Sequence, residues 1–181
     1  TDYTVSYKNN INAGTASVTI TGKGSYSGSQ TKNFTITPAA LTKTTISLSA
    51  SSFIYDGAEK KPAITIKSGK TQLTLNKDYT ISYKNNMNVG TASVTVTGKG
   101  NYTGTISKNF TIAATNLSTA DVKLSAASFT YNGKAITPSV TVTCNDKALT
   151  NGTDYSVAYT SNINAGTARV TITGIGAYSG V

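Results

Sequence analysis

Gly98-Lys99-Gly100 is the stretch of this chain that looks most like a chemical motif, a lysine between glycines of the kind that cradles phosphate. The same trio stands at Gly22-Lys23-Gly24, but a third version, Gly174-Ile175-Gly176, keeps the glycines and loses the lysine. A phosphate loop also needs a following helix and usually a Lys-Ser/Thr pair, and Asn101-Tyr102-Thr103 supplies neither. The trio therefore reads as a tight turn. The chain has no histidine, which removes the commonest general base and the commonest metal ligand. Of its 7 acidic residues only Asp2, Asp78 and Asp154 recur at one repeat position. A lone Asp ahead of a strand bonds nearby backbone, and no second carboxylate recurs to build a glycosidase pair or a calcium cage. Cys144 is the only cysteine, its counterpart is Ser68, and it reads as a half-exposed strand residue rather than a nucleophile. The expectation is a chain with no catalytic residues, no metal ligands and no cofactor.

The recurrence that empties these motifs of chemistry is itself the main signal. "DYTVSYKNNINAGTASVTITGKGSYSG" begins at residue 2, and close copies begin at 78 and 154, a gapless spacing of 76 residues. Residues 2–36 and 78–112 agree at 26 of 35 positions, and the copies from 78 and 154 agree at 15 of 27. The shared positions are the Asp-Tyr pair, the second tyrosine, the outer asparagines of Asn-x-Asn, Gly-Thr-Ala, and the closing glycines and tyrosine. Outward positions drift: Lys84 becomes Thr160, Ser93 becomes Arg169, and Lys99 becomes Ile175. The period predicts the back part of a repeat at 1–37, a complete one at 41–113, and a third without its final strand at 117–181. On that reading the ends fall inside repeats, and the chain is a window of a longer array.

These positions must be held by strands. Ile64 and Ile66, Tyr79, Ile81 and Tyr83, Ala92, Val94 and Val96, and Phe110 and Ile112 each share one face of a period-2 pattern. Leu73 and Leu75 suggest a further short strand, and "TNLSTADVKLS" a linker. Asp56-Gly57 and "NNMNVG" supply turns, with such signals every 8–12 residues along the chain. Hydrophobic content is 38%, while Thr, Ser, Gly and Asn abound, which fits small domains whose strands half face water. The expected class is all-β, as a tandem of small immunoglobulin-like β-sandwich domains. A β-grasp-like or small barrel repeat is the alternative, since about 70 residues is short for an immunoglobulin domain. No apolar run reaches the ~20 residues of a membrane helix, so no membrane insertion is expected in this window.

The net charge is +9, from 16 Lys/Arg against 7 Asp/Glu. Such a balance attracts anionic partners, yet the lysines are scattered, as they are when they keep strand edges from pairing. Nucleic acid is not an expected partner. Glycan binding rests on Tyr26, Tyr102 and Tyr178, which sit in glycine-flanked bends where a ring can stack on sugar, with Lys99 beside them. The competing role is a corner tyrosine bonded to backbone. Lys108 and Asn109, on a closing strand, are the candidates for a Lys–Asn isopeptide crosslink.

With "YDGAEKKP", "DYTISYKNN", "GTASVTVTGKGNYTG" laid end to end, the chain resembles a tandem immunoglobulin-like repeat of Firmicutes (Gram-positive) cell-surface proteins, over essentially its whole length. The resemblance implies repeats that act as spacers or adhesive modules beside other domains, with no established catalytic residues. The expected role is a non-catalytic extracellular stalk at the bacterial cell surface or on a secreted protein. The alternative is an adhesive module for cell-wall polymer or host glycan. Open strand edges at the incomplete repeats also predict head-to-tail self-association.

Overall fold

Alternation of β-branched and aromatic residues with Thr and Ser, punctuated by glycine, leaves the backbone no helical option over most of its length. The computed structural model describes residues 1–181 and is all-β, with two 3-10 turns at Leu41–Lys43 and Leu117–Thr119 and no α-helix. In chain order the first strands are β1 (Tyr3–Lys8), β2 (Gly14–Gly22), β3 (Ser29–Ile36), β4 (Ala39–Ala40), β5 (Thr45–Leu48) and β6 (Ser52–Ile54). There follow β7 (Ile64–Ser68), β8 (Thr71–Gln72), β9 (Tyr79–Lys84), β10 (Gly90–Gly98), β11 (Tyr102–Thr103), β12 (Thr105–Ala113) and β13 (Thr115–Asn116). The last are β14 (Asp121–Leu124), β15 (Val140–Cys144), β16 (Lys147–Ala148), β17 (Tyr155–Thr160), β18 (Arg169–Gly174) and β19 (Tyr178–Ser179). No sheet closes on itself and no helix is held against one, so the architecture is of the sandwich type rather than a barrel or a β-grasp. No helix is long and apolar enough to cross a membrane.

The chain divides into two compact units. The first contains Thr1–Ser51, Lys61–Lys84 and Ser93–Asn109. In it β1, β2 and β3 form an antiparallel sheet, β5, β7 and β8 a second, and β10 is flanked by β9 and β12. Leu41, Ile66, Leu73, Tyr79 and Val96 form the core, joined by Ile46, Ile64, Ile81, Tyr102 and Ile106. Ile46, Ile64 and Ile66 come from the sheet of β5, β7 and β8, and Tyr79, Ile81, Val96 and Ile106 from that of β9, β10 and β12, so the core is filled from two sheets as in a sandwich. The β1–β3 sheet carries the same alternation without a covering layer, and Tyr3, Val5, Tyr7, Ile20 and Phe34 are exposed on it.

The second unit contains Ser52–Lys60, Asn85–Ala92 and Phe110–Val181. Here β14, β15 and β16 form one sheet, β17 and β18 another, and the end of β12 pairs in parallel with β6. Leu117, Val142, Cys144, Leu149, Tyr155 and Tyr178 fill its core. The registers Tyr3↔Gly22, Tyr79↔Gly98 and Tyr155↔Gly174 repeat at the sequence spacing. Each unit takes strands from two successive copies.

Three sequence expectations are corrected. Cys144 is buried, because its place on β15 alternates inward with Val142 rather than lying at a half-exposed edge. Leu75 is exposed and lies outside the short strand, which falls on Thr71–Gln72, since Asp78 bonds back to Thr74 and bends the chain there. "TNLSTADVKLS" is more than a linker: it holds β13, a 3-10 turn and β14, with Asn116 Oδ1 accepting from the Ser118 amide at 2.8 Å.

Candidate functional site

The bend that closes each copy, Gly98 to Gly104 in the middle one, carries most of the candidate residues. Its two glycines persist for different reasons. A Cβ on Gly98 would meet the Thr103 amide nitrogen at 2.7 Å, and one on Gly174 the Ser179 nitrogen at 2.6 Å, so backbone passes where a side chain would stand. Gly100 has φ +65°, as Gly24 and Gly176 have +64° and +62°, a region costly for residues with a Cβ. Gly98 N–H donates to Gly104 O at 2.9 Å and Lys99 N–H to Asp78 O at 2.9 Å. The lysine side chain enters no anion cradle: Lys99 Nζ donates to the Asn76 carbonyl at 2.9 Å.

Asp78 Oδ2 accepts from Thr74 N–H at 2.8 Å, and Asp154 Oδ2 from Thr150 N–H at 2.9 Å. The recurring carboxylate thus holds a loop that leads into a strand. No group of three or more His, Cys, Asp or Glu side chains is placed to hold a metal ion.

The three bend tyrosines occupy different environments. Tyr26 is 65% exposed, Tyr102 is half-buried against the first unit's core, and Tyr178 is 6% exposed. Tyr178 is covered by Tyr55, whose ring meets it edge-on at 6.0 Å and 83°. Lys147 Nζ lies 5.8 Å from the Tyr178 ring centre, and the contact with Tyr178 raises the lysine's pKa. Lys108 and Asn109 are both exposed on β12, and as successive strand residues they point to opposite faces, so the fold does not bring them together.

No family model, curated protein or solved structure matches the chain.

The residues that do converge are ones the sequence reading passed over. Thr115 Oγ1 donates to the Tyr55 carbonyl, Tyr55 N–H donates to Ala113 O at 2.9 Å, and the Tyr55 ring packs on the second unit's core. In the first unit Asn101 Oδ1 accepts from Ala13 N–H at 2.7 Å while its Nδ2 donates to Asn12 Oδ1 at 2.9 Å. Both constellations tie one copy of the repeat to the next. Asn86 and Lys60 exchange bonds, Nδ2 to O at 3.1 Å and N–H to O at 2.7 Å, and Asn162 and Ile136 repeat the exchange at 3.0 and 2.8 Å. The recurring Asn-x-Asn was the legible signal for this last clasp. Tyr55 recurs as Tyr131, but its partner Thr115 has Ala39 as its counterpart, so the contact itself had no internal signature.

Proposed function

We propose that this chain is part of a non-catalytic extracellular stalk or spacer of a bacterial surface protein, built of immunoglobulin-like repeats that hold another domain away from the cell. The observation that carries this reading is the pattern of what recurs. Core and turn positions persist at the 76-residue spacing while outward positions drift, as selection for a scaffold rather than a surface would leave them. Side-chain ties between successive copies, through Asn101 and through Tyr55, support the same reading, because a spacer must resist bending at its joints. Small-angle scattering tests it. A radius of gyration clearly above the about 16 Å of a compact chain of this length is expected, and a value near 16 Å rejects the spacer.

Adhesion to cell-wall polymer or host glycan is the second reading, favoured by the exposed ring of Tyr26 on a chain of net charge +9. It predicts saturable binding to peptidoglycan or arrayed glycans that weakens with salt and is lost in Tyr26→Ala. Self-association is the remaining partner proposal. β18 pairs only with β17 and leaves one edge open, and light scattering across a concentration series would show the growth in mass.

A further inference from the structure

The chain contains two Asn-Gly pairs, Asn132-Gly133 and Asn151-Gly152, all four residues exposed. In such a pair the glycine has no Cβ to keep its backbone nitrogen from approaching the preceding side-chain amide. The two pairs are held differently. Gly152 N–H donates to Tyr155 O at 2.7 Å, and Asn151 forms a β-bridge with Tyr155, so the nitrogen that would have to attack is bonded and its backbone is pinned. Gly133 N–H donates to no group of the chain, and a Cβ placed there would meet only the Tyr131 hydroxyl at 3.9 Å. At the same turn Asn132 Oδ1 accepts from Lys134 N–H at 2.9 Å. That bond draws charge toward oxygen and leaves Cγ more open to a nucleophile, as a donor aimed at a developing oxyanion does.

We propose that Asn132 is a site of spontaneous deamidation and that Asn151 is protected from it by the fold. Gly133 nitrogen gives its proton to solvent base and forms a bond to Asn132 Cγ. The Cγ–Nδ2 bond breaks, and the nitrogen leaves as ammonia after taking up a proton. Water then opens the five-membered imide. Attack at Cγ gives aspartate, and attack at the backbone carbonyl carbon gives isoaspartate, with no oxidation or reduction in either route. The turn accommodates the first product. The preceding copy carries Asp56 at this position, where Oδ1 accepts from Ala58 N–H at 2.8 Å in the same manner.

Incubation of the whole chain at mildly alkaline pH, followed by intact mass, cation-exchange chromatography and peptide mapping, tests the proposal. A species more acidic by one charge should accumulate, with the change mapped to residue 132 before any appears at 151. Asn132→Asp should co-elute with the aspartyl product, and Asn132→Gln should not yield the early species. In denaturant the two sites should react at comparable rates, which assigns the difference to the fold. Modification of Asn151 first or equally fast in the folded chain would overturn the proposal. So would a folded chain that stays unmodified at Asn132 while the denatured chain reacts.

Discussion

Phe34 and Phe110 occupy the same repeat position and have the same neighbours in sequence, Lys-Asn before and Thr-Ile after, yet Phe34 is 40% exposed and Phe110 is 2% exposed. Phe110 also meets the Phe53 ring edge-on at 5.6 Å, while β3 has no strand like β6 beside it. Phe110→Ala should therefore cost about 3–5 kcal/mol through lost burial and a cavity, and Phe34→Ala under about 1 kcal/mol. Denaturant midpoints followed by tyrosine fluorescence decide it, and equal costs would mean that local sequence outweighs packing here. Titration also belongs to single residues. Burial raises the pKa of Tyr79 and of Tyr83, and the nearby Asp78 charge adds to the shift at Tyr79. Their neutral forms are favoured in the fold, so their contribution is complete below the ordinary value of 10.0 and falls as pH rises through the raised values. Asp56 behaves oppositely. The Lys60 ammonium and the Ala58 amide lower its pKa below 3.8, so its contribution is present above that value and is lost as acid titrates the folded carboxylate. Unfolding midpoints across pH should show the alkaline loss, and Lys60→Met should return the Asp56 titration, read by NMR, toward its ordinary value.

Strands form where a partner completes them, and the copies show this where their sequences are similar. β2 and β10 each begin at Gly-Thr-Ala and span nine residues, and Gly14–Thr21 pairs with β3. β18 begins only at Arg169, because the edge that β3 and β12 take in the other copies has no strand on it. Ala168 is exposed there, whereas Ala16 and Ala92 are buried. Period-2 alternation therefore made the strand faces of Ile66, Tyr79, Val94 and Ile112 legible in advance, but not which copy would cover them. Burial depends on a second layer that the local pattern does not encode. Cys144 was misread for the same reason, since its depth comes from the sheet opposite. The joint residue Tyr55 was hidden in a different way, being one member of an alternating run whose partner lies more than a hundred residues on. Its removal should be felt at a distance. Tyr55→Ala should lose the about 0.5–1.5 kcal/mol of an edge-on aromatic pair in addition to its buried area, and should speed hydrogen exchange at Thr115 and Tyr178. Tyr55→Phe should leave both near the parent values. Unchanged exchange in the alanine variant would remove Tyr55 from the joint.

If each copy is stabilised mainly by its neighbours in sequence, stability is close to a sum of the parts and their interfaces, and protection should vary along the chain instead of reaching one global value. The structure sets the order. Val94 and Val96 are fully buried on β10 and Val142 nearly so on β15, each on a strand with partners on both sides. β1 lies at a sheet edge with Tyr3, Val5 and Tyr7 exposed, and β18 has a single partner. Native-state hydrogen exchange should therefore be slowest on β10 and β15, intermediate on β17, and fastest on β1 and the outer edge of β18. Opening in the first region should not require opening in the last, since the two clusters, one around Ile66 and one around Val142, share no residues. The variants above sharpen the test. Phe110→Ala should lower protection on β10 and leave that of β1 unchanged, because β1 depends on β2 and on no residue of β12. A single exchange rate limit shared by β1, β10 and β15 would show instead that the chain opens as one cooperative body. In that case the contacts of Asn101 and Tyr55 would not be separate local sources of stability.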